Sequence, residues 1–155
     1  MKISMTCAGY CFNNGKPDQR AGCAVLLDYS DDYDRTADRV ICQPVGGSTK
    51  PRAEIMAATY GLMSISRKKF RKSCEVVLHV PQYIAGLLET VEDGNYKSSP
   101  KKNPDEVAEL RLWVSYFDNL RAVAASKEDL TRCLNLAKEC ADTQKASDTG
   151  TRVTV

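Results

Sequence analysis

Among the residues of this sequence that could do chemistry, the acid Glu54 comes first. It sits in KPRAEIMAATYGLMSI, residues 50–65, where apolar side chains recur with the period of a helix. Ile55, Ala58 or Thr59, Leu62 and Ile65 form one line, and Met56, Tyr60 and Met63 another. The apolar arc is therefore wide, as in a helix covered on most of its surface. Ser48 and Thr49 are candidate N-caps, and Pro51 in the first turn has no N–H to leave unpaired. Glu54 shares a stripe with Ala57, Ala58 and Gly61, small residues that let the helix backbone approach a sheet. Its carboxylate, favoured there by the helix dipole, would point inward at the mouth of the fold. Alone, such a residue is a capping-turn glutamate before it is a functional acid.

The thiols and the imidazole offer less. There are seven cysteines, none in a CxxC pair, and His79 is the only histidine, so no zinc site, metal or cofactor is expected. Cys23, Cys42, Cys74 and Cys133 read as small core residues, while Cys7 and Cys11 flank the candidate site. No apolar targeting stretch or membrane-length run is present, which with this cysteine usage implies a reducing intracellular compartment, cytoplasmic or nuclear, and no membrane partner. At 155 residues, 43% hydrophobic and 27% charged, the chain is long enough for one domain with a real core. A net charge of +2 demands no nucleic acid, although Arg67, Lys68, Lys69, Arg71 and Lys72 form one basic run and Lys97, Lys101 and Lys102 a second.

The elements that must position these residues follow from pattern. Residues 1–7, 22–29 and 39–44 read as three strands of an antiparallel meander, with Asn14-Gly15-Lys16-Pro17 marking the first turn. The apolar run of the second strand suits cover on both faces. After the central helix, the basic run reads as a linker to residues 74–80, CEVVLHV, a buried strand that a right-handed crossover sets parallel to the first. A short helix from Pro81, a loop over 93–104, a helix over 104–117, a weak strand over 120–125 and a helix over 130–144 complete the order.

Several local motifs carry a family resemblance. Gly9, Cys11, Asn13-Asn14-Gly15-Lys16-Pro17 and Arg20-Ala21-Gly22 resemble the first hairpin of type-1 ribonucleases H, TDGxCxxNGxxxxRAGxG. Thr49 with Arg52-Ala53-Glu54 resembles that family's TNxRAE helix start, and Leu78 with Gln82-Tyr83 its LxTDSQYV segment. The resemblance implies an α/β ribonuclease H-like domain over 1–146, with a mixed five-stranded sheet of three antiparallel strands then two parallel, flanked by helices. Residues 147–155 are expected to form a flexible tail. It also implies a reaction, hydrolysis of the RNA strand of an RNA–DNA hybrid by two Mg²⁺ ions, which need several converging carboxylates.

Here the sequence departs from the family. Ala8 stands at the first-strand aspartate and Val80 at the fourth-strand aspartate, and neither can ligate a metal. An ungapped register of the last helix puts Lys138 at the final acidic position and Glu128 at the loop histidine; a four-residue shift offers Asp142 instead. Glu54 is the remaining acid, and a Glu54–Lys138 ion pair could replace the metal's charge. A Cys7–His79 couple is expected to face away from the cleft. No metal site and no catalysis are therefore expected.

The substrate contacts are partly present. Asn14 and Thr49 resemble the hybrid-binding asparagine and the phosphate-pocket threonine, with Lys50 and Pro51 at the two positions that sense 2′-OH groups. Pro51 has no side-chain donor, so hybrid discrimination should be blunted. Lys50, Arg52, Gln82, Lys97, Lys101 and Lys102 complete the nucleic-acid-binding candidates, for phosphates rather than bases. The near-neutral charge favours a pseudo-nuclease with a protein partner. The alternative is a non-cleaving binder of RNA or an RNA–DNA hybrid, and an active ribonuclease ranks third.

Overall fold

A computed structural model describes residues 1–151 and 153–155. In chain order the elements are β1 (Lys2–Phe12), β2 (Arg20–Ser30), β3 (Thr36–Pro44), α1 (Lys50–Met63), α2 (Lys68–Ser73) and β4 (Glu75–Val80). They continue with α3 (Gln82–Leu88), α4 (Pro104–Ser115), β5 (Leu120–Ala124), α5 (Lys127–Thr143) and β6 (Ser147–Gly150). The first three strands form the antiparallel meander, β4 joins the free edge of β1 in parallel, and β5 joins β4 in parallel. The sheet order is β5-β4-β1-β2-β3-β6.

Side-chain alternation divides the sheet between two cores. Ile3, Met5 and Cys7 of β1, Cys23, Val25 and Leu27 of β2, and Val76, Leu78 and Val80 of β4 pack with Ile55, Ala58 and Leu62 of α1. Ala8, Ala24, Leu26 and Cys42 face the other way, onto Cys133, Ala137 and Cys140 of α5. That is why β2 reads as one continuous apolar run: both of its faces are covered. Two glycines set how closely the helices seat. A β-carbon on Gly9 would collide with the backbone of Ala53 and Glu54, and one on Gly22 with the backbone of α5 at Ala137 and Ala141.

The structure corrects three expectations. The sheet has six strands, because Ser147–Gly150 pairs with β3 where a loose tail was expected. Its sequence SDTG is polar, but Arg39 holds Asp148 with two bonds of 2.8 and 2.6 Å, and β3 supplies an open edge. Beyond it Val155 is buried, its carbonyl accepting from the backbone N–H of Ser66 at 3.1 Å. The basic run is no plain linker either: it winds into α2, where Phe70 packs on the core. All seven cysteines are free thiols, six of them buried. Among the described residues no helix is long and apolar enough to cross a membrane.

Candidate functional site

Parallel pairing places the C-terminal ends of β1 and β4 at one edge of the sheet, and α1 begins there, seated on Gly9. Thr49 caps α1, its Oγ1 accepting from the Arg52 N–H at 3.5 Å, and Pro51 lies in the first turn. Glu54 follows one turn on, buried at 8% exposure. Among the described residues it makes no hydrogen bond or ion pair. Burial pushes its carboxyl up to about 7, and the charge of Lys50 is the opposing influence.

The other metal positions do not supply ligands. Ala8 is buried in the small-residue cluster under α5. Val80 points to the opposite face, fully buried in the α1 core, so it is not the counterpart of Ala8 across the sheet. Continuing the register Thr6↔His79 by two places sets Ala8 opposite Pro81, which carries no oxygen on its side chain.

The last helix also corrects the sequence register. Cys133 lies closest to this part of β1, its thiol donating to the carbonyls of Thr6 at 3.3 Å and Ala24 at 3.2 Å. Lys138 sits one turn beyond and lays its ammonium 5.0 Å from the centre of the Tyr10 ring, with no ion pair to Glu54. Asp142 is further still, paired with Arg20 at 3.4 Å. The physical reason is plain: α5 and α1 lie on opposite faces of the sheet. The same separation rules out a Cys7–His79 couple, since Cys7 faces α1 while His79, alternating with Leu78 and Val80, faces the other side. Among the described residues no group of three or more His, Cys, Asp or Glu could hold a metal ion. The two Mg²⁺ ions of the resemblance therefore do not fit, since a hard cation needs several oxygens and Glu54 alone offers them.

The nucleic-acid-binding candidates fall into two groups. In the first, Asn14 on the β1–β2 turn accepts from Gln19 at 3.3 Å, and Gln19 also donates to the Ser48 carbonyl beside Thr49. Cys11 donates to the same carbonyl at 3.2 Å. Asn14, Thr49 and exposed Lys50 are thus tied into one surface. Arg52 is less available: it pairs with Glu106 of α4 at 3.1 Å and donates to Ser48 Oγ at 2.9 Å. In the second group, α3 begins directly after β4 with exposed Gln82 and Tyr83. The 98–102 loop folds against it, so that Lys101 and Lys102 line a cavity of about 460 Å³ with Tyr83 and Leu87. Lys97 is drawn away to Glu89 at 3.7 Å. Sequence reading missed Gln19 and Glu106 and gave Ser48 only as a candidate N-cap, where the structure has it bonded through its carbonyl to Gln19 and Cys11 and through its hydroxyl to Arg52.

The architecture is that of a ribonuclease H. No protein-family model matches the chain, and no curated protein does. Solved structures do match in fold. LC9-RNase H1, a type 1 RNase H with the type 2 active-site motif, superposes with a TM-score of 0.73 at 20% identity, over 94% of this chain and 74% of that one. RNase H1 of the halophilic archaeon Halobacterium salinarum gives 0.67 at 17% identity, over 92% and 99%. The foamy viral protease–reverse transcriptase, solved in complex with an RNA/DNA hybrid, gives 0.67 at 16% identity, over 91% of this chain and 20% of that one. The chain has the ribonuclease H fold, with strand β6 in addition to the expected five.

Proposed function

We propose that this protein is a ribonuclease H-fold domain that grips duplex nucleic acid through its phosphates and does not cut it. The observation that carries the reading is the composition of one sheet edge. Among the described residues Glu54 stands there as an acid without a hydrogen-bond or ion-pair partner, with no side-chain oxygen at positions 8, 80 or 81. Asn14, Thr49 and Lys50 lie on the surface around the start of α1, Gln82 opens α3 directly after β4, and Lys101 and Lys102 line a separate cavity against α3. The fold supports nucleic-acid binding, and the foamy viral relative is seen with a hybrid bound. The sequence alone ranks a protein partner first; the clustering of these polar and basic groups reverses that order. Pro51 sits where a 2′-OH contact would be needed, so the grip should not select hybrids.

The test is a titration of hybrid, duplex DNA and duplex RNA at two salt concentrations, with a cleavage assay in Mg²⁺ and Mn²⁺ alongside. Comparable affinities that fall steeply with salt, and no cleavage from about pH 6 to 9, are expected. Dissociation constants weaker than roughly 10⁻⁴ M for every duplex near physiological salt would overturn the binding reading. Cleavage that survives repurification yet disappears in Glu54→Gln would overturn the inactive one.

A further inference from the structure

A second surface, between α1 and α4, has the opposite electrostatics. Its floor is Met56, Tyr60 and Met63, spaced four and then three residues apart along α1, and its rim is Asp105, Glu106 and Glu109 of α4. The groove holds about 310 Å³. Met63 is 41% exposed, an unusual degree for a large apolar side chain on the floor of a groove. One cation lines it, Arg52, and that charge is spent on Glu106. Asp105 and Glu109 have no ion-pair partner among the described residues.

These features narrow the occupant. Two uncompensated carboxylates repel phosphate, so the groove does not continue the nucleic-acid surface. An apolar floor at helical spacing fits the anchors of a helix laid lengthwise, and methionine adapts its shape to such anchors. The acidic rim asks for cations flanking them. We infer that the α1–α4 groove docks an amphipathic protein segment carrying basic residues beside bulky apolar ones.

The probes are two synthetic helical peptides, one of leucine and lysine and one of leucine and glutamate, with leucines at i, i+3, i+4 and i+7. Binding is read by anisotropy of labelled peptide. The Leu/Lys peptide is expected to bind with a Kd on the order of 10⁻⁵ M and the Leu/Glu peptide at least about tenfold more weakly. Met63→Asp should weaken the Leu/Lys peptide about tenfold, as should Asp105→Lys with Glu109→Lys; all three positions are exposed, so folding is preserved. Glu75→Lys with Glu139→Lys changes the net charge equally at exposed sites outside the groove and should leave binding unchanged. Equal binding of both peptides, insensitivity to the groove variants, or equal loss in the control would each overturn the inference. Nucleic-acid affinity plays no part in this readout, so failure here leaves the proposed function standing.

Discussion

Glu54→Gln should stabilise this protein, and only at pH values where the acid would be ionised. The carboxyl is buried, has no partner among the described residues, and is pushed from an ordinary 4.5 up to about 7 by loss of solvent. Between those values the native protein holds a proton that the unfolded chain has released. Unfolding therefore releases protons across that window, and stability falls as pH rises through it and stays lower above 7. At about 1.4 kcal/mol per pKa unit, ionised Glu54 costs about 3 kcal/mol of stability above pH 8. Relaxation and water entry reduce this, so the expected gain from the neutral isostere is about 1–3 kcal/mol. Urea unfolding followed by the fluorescence of Trp113, the single tryptophan, gives the difference directly. The variant should match the parent within about 0.5 kcal/mol at pH 4.5 and exceed it by about 1–3 kcal/mol at pH 8.5. A difference independent of pH, or a variant less stable at the higher pH, would refute the reasoning.

Three further outcomes follow from the packing and the charges. Gly9→Ala should cost about 2–3 kcal/mol in thermal unfolding, because the added methyl meets helix backbone, which cannot swing aside; an unchanged melting temperature would mean that α1 is not seated there. Arg39→Ala should cost about 1–2 kcal/mol and abolish hydrogen-exchange protection at β6 while sparing β1 and β2, since the guanidinium holds Asp148 with two bonds. Protection retained at β6 would show that backbone pairing alone secures the strand. Lys101→Gln with Lys102→Gln should weaken hybrid, DNA and RNA alike and flatten the salt slope by about one unit per lost contact, whereas an unchanged slope would remove both lysines from the interface.

Most of the first ninety residues, α2 excepted, were legible in the sequence because their signals are local. Asn14-Gly15 forces a turn within the hairpin, Gly15 adopting a φ of 80°, and Thr49, Pro51 and Glu54 mark a helix start within six residues. The C-terminal third was harder for a physical reason. Helical periodicity repeats every three to four residues, so Leu134, Lys138 and Asp142 offer similar patterns, and only the contact of Cys133 with the carbonyls of β1 and β2 sets the register. Strand β6 was invisible because SDTG carries no apolar alternation; it is held by an ion pair across 109 residues of sequence. Likewise Arg52 looked free for phosphate, while its partner Glu106 lies 54 residues away.

The two positions at which the resemblance expects metal-binding aspartates lie in the two cores. Ala8, 2% exposed, shares a cluster with Ala24, Cys133 and Ala137, and an aspartate there would be an unpaired buried charge. Lys138 on that face is turned to Tyr10. Val80 lies in the opposite core with no exposure at all. An unpaired carboxylate at either place would cost several kcal/mol, so neither position accepts an acid by itself. Glu54 is different, since it keeps a little exposure and can take up a proton near neutral pH, which removes the charge it would otherwise have to bury. Glu54 is therefore an acid that tolerates being neutral. A metal-binding edge carries a strong negative field that only its cations offset. Here Glu54 is the one acid buried at the start of α1, and exposed Lys50 is the charge that opposes its raised pKa.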